Sequence, residues 1–113
     1  MHEFGVTKSL VDLCNQEAKK NRIEKVHKIH LRVGRFTGFS PDSIQFYFEH
    51  LKVNTRCSAA YIVFEEVPIK ILCNDCQKIS EIEEPVLLCP NCGSDEIDLI
   101  SGREFSVTSI EGE

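Results

Sequence analysis

Two closely spaced pairs of cysteines constrain the fold of this chain more than any other feature of its sequence. The pairs are Cys73-Asn-Asp-Cys76 and Cys89-Pro-Asn-Cys92, and the twelve residues 77–88 separate them. Two residues between cysteines let a tight turn direct both sulfur atoms towards one metal ion about 2.3 Å away. Twelve residues are enough for a short hairpin that brings the second pair opposite the first. We therefore predict one site with four thiolate ligands and a zinc ion within it.

Four thiolates fill the coordination sphere of zinc and leave no position for a catalytic water, so the predicted metal is structural. The competing interpretation is a pair of redox dithiols, because the same spacing occurs in thioredoxin-like active sites. A site of that type requires a single pair at the start of a helix, whereas this chain has two matched pairs. The other two cysteines, Cys14 and Cys57, stand alone and are interpreted as buried structural thiols.

Hydrophobic periodicity predicts two helices and three strands outside the cysteine region. A first helix is expected from Glu3 to about Lys20, followed by Asn21 in a left-handed conformation. Its buried stripe comprises Phe4, Leu10, Val11, Cys14 and Ala18. The sequence Ser40-Pro41-Asp42 predicts the start of a second helix, which ends near Asn54, because it offers a hydroxyl cap and a proline in the first turn. Strands are expected at Val26 to Gly34, Ala60 to Val67 and Glu104 to Ile110.

These elements predict an α+β fold with two helices on a small three-stranded mixed sheet and an inserted, zinc-ribbon-like four-cysteine domain. The expected boundaries place residues 1–68 and 103–113 in the α+β domain and residues 69–102 in the zinc-binding domain. So short an insertion cannot bury enough apolar surface to fold unaided. Metal binding and folding are therefore expected to be coupled in this domain.

The negative charge of the chain is concentrated around the cysteines. The formal net charge is −5, and residues 70–99 account for all of it, with two lysines against seven acidic residues. The acidic residues are Asp75, Glu81, Glu83, Glu84, Asp95, Glu96 and Asp98. A zinc ion with four thiolates adds about two further negative charges. A phosphate backbone would be repelled by this surface, so nucleic-acid binding is not expected.

The sequence also bears on where the protein is expected to act. It contains no run of 18 apolar residues, and no basic stretch followed by an apolar run at its N-terminus. Neither membrane spanning nor secretion is expected, so a cytoplasmic location is predicted. In that reducing compartment the cysteines are expected to be thiols or metal ligands rather than disulfides.

The chain begins with Met1-His2-Glu3, a triplet that can chelate a metal ion. A histidine in the second position lets one ion bind the amine of Met1, the deprotonated amide nitrogen of His2 and the imidazole of the same residue. The amide or carboxylate of Glu3 can supply the next donor. Nitrogen-rich tetragonal sites suit Ni(II) and Cu(II). The remaining histidines are interpreted as structural or surface residues: His27, His30 and His50.

Taken together, these motifs resemble the HypA/HybF family of hydrogenase-maturation nickel metallochaperones. The resemblance covers essentially the whole chain. Its motifs are Met1-His2-Glu3, Ile29-His30-Leu31-Arg32-Val33-Gly34, Pro41-Asp42-Ser43-Ile44-Gln45-Phe46 and both cysteine pairs. The resemblance implies a nickel-binding domain made from both chain ends, with His2 as the essential nickel ligand and Glu3 in support. It also implies that Cys73, Cys76, Cys89 and Cys92 bind zinc.

The resemblance implies a transferable Ni(II) ion, a structural Zn(II) ion and a protein that is not an enzyme. The implied partners are a companion nickel-delivery GTPase and the large subunit of a nickel-iron hydrogenase, and some members also serve urease. The residues offer no open metal position and no nucleophile paired with a base. The alternative function is a zinc-ribbon protein-interaction module without nickel transfer. The sequence leaves open whether the chain acts as a monomer or as a homodimer.

This chain departs from the family pattern in two places. Some members have histidines beside the cysteine pairs that allow the zinc site to change ligands, but Gln77 and Gly93 stand at these places here. A ligand-swapping zinc switch is therefore not expected. Some members have an acidic nickel-site residue near the start of the second helix, where the alignment leaves a choice between Ser40 and Asp42.

Overall fold

The computed structural model describes residues 3–113, which contain two α-helices and six β-strands. The helices are α1 (Glu3–Lys20) and α2 (Pro41–Leu51). The strands are β1 (Val26–Gly34), β2 (Tyr61–Val67), β3 (Ile69–Cys73), β4 (Ile79–Ile82), β5 (Ile97–Ser101) and β6 (Phe105–Gly112). Neither of the two helices combines the length and the apolar character that crossing a membrane requires.

The six strands form two three-stranded sheets, with the orders β2-β1-β6 and β4-β3-β5. In the first sheet, the N–H of Gly34 donates to the carbonyl of Glu104 (2.6 Å) and the N–H of Glu113 donates to the carbonyl of Lys25 (2.9 Å). Residue numbers fall along one strand as they rise along the other, so β6 runs antiparallel to β1.

The contacts between β1 and β2 show the opposite direction. Lys28 lies over the ring of Tyr61, and the guanidinium of Arg32 donates to the carboxylate of Glu65 (3.1 Å). Residue numbers rise together along these two strands, as in a parallel pair. The first sheet is therefore mixed, and the predicted α+β fold with two helices and a three-stranded sheet is confirmed. The second sheet lies in the cysteine region, where a short hairpin was expected.

The chain divides into two compact units. The first, here called the helical unit, contains both helices and comprises residues 3–32, 39–65 and 106–113. The second, here called the cysteine unit, contains all four paired cysteines and comprises residues 33–38 and 66–105. The assignment of nickel to one part of the chain and zinc to the other stays a prediction.

The core of the helical unit contains most of the stripe predicted for α1. Leu10, Val11, Cys14 and Ala18 are buried, but Phe4 is 48% exposed, so its assignment to the core was wrong. The ring of Phe4 instead meets the ring of Tyr47 edge to face, with centroids 5.5 Å apart. The first turn of α1 thus packs on α2 through an aromatic pair at the surface. Hydrophobic periodicity alone does not distinguish such a surface contact from burial in the core.

The end of α1 also differs from the prediction. Arg22, with φ of 59°, adopts the left-handed conformation that was expected of Asn21. The side-chain amide of Asn21 donates to the carbonyl of Glu17 (2.7 Å). Asn21 therefore caps the last turn with its side chain, and the reversal of the chain falls one residue later.

The start of α2 follows the prediction. Ser40 is the N-cap residue, its Oγ accepts a hydrogen bond from the N–H of Ser43 (3.4 Å), and Pro41 is in the first turn. The helix ends at Leu51 rather than near Asn54, whose φ of 64° lies outside the helical region.

Gly34 allows β1 to approach the backbone of Gly102 within the cysteine unit, where the N–H of Phe36 donates to the carbonyl of Gly102 (2.8 Å). A Cβ atom at Gly34 would overlap that carbonyl group. We expect Gly34→Ala to lower the free energy of unfolding by about 3 kcal/mol, because neither backbone can move freely. Gly5→Ala is the control, since its added Cβ meets nothing within 4 Å. Urea denaturation of both variants measures the difference, and equal stability would contradict the close approach.

Candidate metal centre

The sulfur atoms of the four paired cysteines meet at one place in the cysteine unit. All four Sγ atoms lie within 4.8 Å of one another. The Sγ atoms of Cys73 and Cys92 are 3.6 Å apart, as are those of Cys76 and Cys89. Four sulfurs about 2.3 Å from a central ion at tetrahedral angles are about 3.8 Å from each other. The cluster therefore fits one ion with four sulfur ligands, a geometry typical of zinc and iron.

The two cysteine pairs adopt the same local structure. The Sγ of Cys73 accepts a hydrogen bond from the N–H of Cys76, and the Sγ of Cys89 accepts one from the N–H of Cys92, both at 3.4 Å. These bonds hold the first sulfur of each pair against its own turn. Because the same hydrogen bond occurs in both pairs, each pair positions its own two sulfurs through contacts within its turn.

Each turn closes at the residue that follows its second cysteine. The N–H of Gln77 donates to the carbonyl of Cys73 (2.9 Å), and the N–H of Gly93 donates to the carbonyl of Cys89 (2.8 Å). Both residues have positive φ, 64° for Gln77 and 78° for Gly93. Glycine adopts this conformation freely, whereas glutamine does so at a cost. The side chain of Gln77 donates to the carbonyl of Asn74 (2.7 Å), which helps to hold the first turn.

Hydrogen bonds from the backbone and between the sulfurs give the two thiols of the second pair different pKa values. The N–H of Cys92, and then that of Asn91, donate to the Sγ of Cys89 and lower the pKa of Cys89 to about 6. The N–H of Ser94 acts in the same direction on Cys92, but hydrogen bonds with the other sulfurs and the loss of hydration outweigh it and raise the pKa of Cys92 to about 12. Without metal, the two thiols of the second pair lose their protons in separate steps. A metal ion must displace the remaining protons, so its affinity should rise with pH.

Polar contacts tie the two turns together. Asp75, in the first turn, accepts a hydrogen bond from the hydroxyl of Ser94, just after the second turn. The side chain of Asn74 donates to the carboxylate of Asp98 (3.2 Å) on β5. These two carboxylates belong to the acidic set predicted from the sequence, and both form hydrogen bonds close to the cysteine turns.

The two isolated cysteines are buried in the helical unit, with exposed fractions of 1% for Cys14 and 0% for Cys57. Burial raises the pKa of Cys14 to about 12 and also raises that of Cys57. Both thiols are therefore protonated at neutral pH and shielded from reagents. Their positions agree with the interpretation of structural thiols.

This arrangement predicts two classes of thiol, four in the cluster and two buried outside it. With metal bound, we expect almost no rapid reaction with Ellman's reagent at pH 8, because four sulfurs are coordinated and two are buried. A strong chelator should release four reactive thiols, and denaturant the last two, for the six cysteines of the chain. Reaction of more than four thiols before denaturation would contradict the burial of Cys14 and Cys57.

Of the predicted nickel-site residues, Met1 and His2 lie outside the described residues. Glu3 begins α1, and its Oε2 accepts a hydrogen bond from the backbone N–H of Ser40 (3.1 Å). Its carbonyl accepts a hydrogen bond from the hydroxyl of Thr7 (2.5 Å). The structure thus brings Glu3 to the start of α2. Asp42 is an exposed residue in the first turn of α2.

The other histidines contact neighbouring surface groups. His30 is 2.7 Å from the carboxylate of Glu111 and lowers the pKa of that carboxyl group. His50 is 2.9 Å from the carbonyl of Phe46 within α2. These contacts agree with structural or surface roles. Among residues 3–113, the four-cysteine cluster is the one group of three or more metal-ligating side chains.

Sequence reasoning missed two features of these sites. The contact between Glu3 and Ser40 joins residues 37 positions apart, and no local pattern marks it. The sequence contains a weak signal for the positive φ of Gln77: the residue at the same place after the second pair is a glycine, Gly93.

Comparison with known proteins places the sequence close to one group. It matches the HypA family model, described as "Hydrogenase/urease nickel incorporation, metallochaperone, hypA", over residues 1–112. It is similar to hydrogenase maturation factor HypA of Caldanaerobacter subterraneus subsp. tengcongensis, with 37% identity over 114 residues and 100% of both chains covered. It is also similar to hydrogenase maturation factor HypA of Campylobacter jejuni subsp. jejuni, with 36% identity and 97% of both chains covered.

The fold is also similar to that of solved structures. The solution structure of the Ni metallochaperone HypA from Helicobacter pylori has a TM-score of 0.70 at 24% identity, covering 99% of this chain and 97% of that one. A second structure, described as a solution structure of HypA protein, has a TM-score of 0.72 at 24% identity, with 100% of this chain and 97% of that one covered. At this identity the likeness concerns the fold.

Proposed function

This chain belongs to the HypA family of hydrogenase/urease nickel-incorporation metallochaperones, and we propose that it binds Ni(II) at its N-terminus and delivers it to a nickel-iron hydrogenase. The observation that carries the proposal is the family match over residues 1–112, which includes both the N-terminal triplet and the cysteine pairs. The family is one of metallochaperones rather than catalysts, which supports a role without a chemical reaction of its own. Urease is the second client class, because the family description includes it.

In this proposal the nickel ligands are the amine of Met1 and the amide and imidazole nitrogens of His2, with Glu3 in support. Three nitrogen donors in fused chelate rings favour Ni(II) in a tetragonal geometry. Copper binds such donors more tightly than nickel does, so selectivity must come from metal availability and from the docking of partners. An ion at the end of the chain remains accessible to an acceptor, which suits a cargo that must be released.

The four cysteines have a separate role in the proposal, as ligands of a structural zinc ion. The spacing of their sulfurs suits a tetrahedral ion, and four thiolates leave it no open position. When bound, zinc supplies stability rather than reactivity. The cysteines hold the two turns together, and we propose the acidic residues around them, Asp75 and Asp98 among them, as a docking surface for a partner.

The implied partners are a nickel-delivery GTPase and the hydrogenase large subunit, and the proposed location is the cytoplasm, where thiols stay reduced. The test is transfer of the metal itself. The protein, loaded with ⁶³Ni, is mixed with a nickel-free hydrogenase large subunit, with and without the GTPase. We expect the label to move to the large subunit, and faster with the GTPase. Retention of all label, or no nickel binding at all, would favour a zinc-ribbon interaction module instead.

A further inference from the structure

The side chain of Glu3 connects the first turns of two helices. Its Oε2 accepts the backbone N–H of Ser40 (3.1 Å), the N-cap residue of α2. Its own carbonyl accepts the hydroxyl of Thr7 (2.5 Å), whose side chain is fully buried. Glu3 is thus held at its main chain by a core residue of α1 and at its side chain by the start of α2.

This contact supplies the second hydrogen bond of the N-terminal cap of α2, which the residues of α2 do not supply themselves. In a capping box, the N-cap hydroxyl accepts an N–H from the third helical residue, and a Glu or Gln at that residue accepts the N–H of the N-cap. Here the hydroxyl of Ser40 accepts the N–H of Ser43 (3.4 Å), but Ser43 has no side chain long enough to return the bond. Glu3 takes its place from another helix. Its negative charge also suits the positive end of the α2 dipole.

For α1, the contact adds a restraint on the first turn. The first four N–H groups of a helix lack partners within it, so its first turn is held mainly by side chains. If that turn were loose, metal binding at the preceding residues would have to order it, at a cost in conformational entropy. The contact between Glu3 and Ser40 lowers that cost before the metal arrives.

We propose that Glu3 is a positioning residue for nickel binding, and that its partner is the main-chain N–H of Ser40. The inference rests on the proposed function and names the contact through which Glu3 supports nickel binding. The carboxylate of Glu3 acts by fixing the first turn of α1 to α2, and the proposed ligands, Met1 and His2, directly precede it in the sequence. Ser40 then contributes through its backbone and through its capping hydroxyl, rather than as a metal donor.

The test compares four variants by nickel calorimetry and by the visible absorption of the bound Ni(II). Ser40→Pro removes the N–H and the hydroxyl, whereas the matched control, Ser40→Ala, removes the hydroxyl alone. Ser40 has φ of −87° and ψ of 123°, close to the conformation proline favours before another proline. Glu3→Ala removes the acceptor, whereas Glu3→Gln keeps an acceptor oxygen without the charge.

We expect Glu3→Ala to raise the nickel Kd about tenfold over the unmodified protein, and Ser40→Pro about tenfold over Ser40→Ala, as for one hydrogen bond to a charged group. Glu3→Gln should raise it less. The absorption spectrum of Ni(II) should not change in any of the four variants, because the ligands stay the same. In the metal-free protein, hydrogen exchange at the Ser40 amide should accelerate in Glu3→Ala, which tests the contact independently of nickel.

Two results would overturn the inference. One is a changed Ni(II) spectrum in Glu3→Ala, which would make the carboxylate a direct ligand. The other is an unchanged Kd in both Glu3→Ala and Ser40→Pro. If Ser40→Pro does not fold, the comparison of Glu3→Ala with Glu3→Gln and the exchange at Ser40 still decide the matter. Failure of the proposed function is distinct, because the unmodified protein would then bind no nickel or would bind it independently of His2.

Discussion

Cys89→Ser is expected to lose the zinc ion and to unfold the strands of the cysteine unit. The Sγ of Cys89 accepts backbone N–H groups from Asn91 and Cys92 and lies beside the sulfur of Cys76. A serine hydroxyl is a poor zinc ligand and leaves the tetrahedron incomplete. Structural zinc contributes on the order of 10–16 kcal/mol to folding, whereas whole domains are stable by only about 5–15 kcal/mol. The loss therefore exceeds what this unit can supply from its own small core.

The measurement combines zinc analysis by mass spectrometry with amide exchange. We expect one zinc per chain in the unmodified protein and much less than one in Cys89→Ser, with rapid exchange at β3, β4 and β5. Amides of α1 and α2 should keep their protection, because neither helix contains a cysteine of the cluster. Cys57→Ala is the matched control, since it removes a buried thiol outside the cluster and should keep its zinc. A folded, zinc-free Cys89→Ser protein would refute the coupling of metal and fold.

The second large effect is expected at the other end of the chain. His2→Ala should weaken nickel binding by at least about 100-fold, or about 2.8 kcal/mol, because it removes the imidazole and breaks the chelate ring that contains it. Calorimetry with Ni(II) measures the change. His50→Ala is the control, because His50 is an exposed histidine that contacts the Phe46 carbonyl within α2. Equal nickel affinity in His2→Ala and in the unmodified protein would refute the nickel assignment.

Two further measurements test the same ligands. Protons compete with nickel for the imidazole and the terminal amine, whose ordinary pKa values are about 6.5 and 7.7–8.0. Nickel affinity should therefore fall as the pH is lowered from 8 to 6, and binding should release protons. One or two residues added before Met1 should weaken binding strongly, because the amine then leaves the chelate ring. A nickel affinity that depends neither on pH nor on the N-terminal extension would exclude the imidazole and the terminal amine as ligands.

The cysteine cluster shows how far sequence can go at a metal site. Each pair forms its turn from hydrogen bonds within six residues, such as the bond from Gln77 to Cys73. The spacing therefore encodes each half-site locally, and residues 77–88, which include β4, connect the two halves. The sequence predicted all four sulfurs of the cluster for that reason.

The second sheet was not predicted because its strands are short. β4 and β5 contain four and five residues, too few for a clear alternation of polar and apolar positions. Both pair antiparallel with β3, where Leu72 stands opposite Ile79 and Cys73 stands opposite Ile97. The pairing of β3 with β5 joins residues at least 24 positions apart, so no local pattern indicates it.

The sequence alone determined the elements whose cause is local: α1 from its apolar period, α2 from the cap at Ser40, and the two cysteine turns from their spacing. Only the tertiary structure decided which strands pair, and that Glu3 completes the cap of α2 across 37 residues. The reason is physical. A turn or a cap depends on neighbours that the chain itself holds close, whereas a contact between distant residues depends on how the whole chain packs.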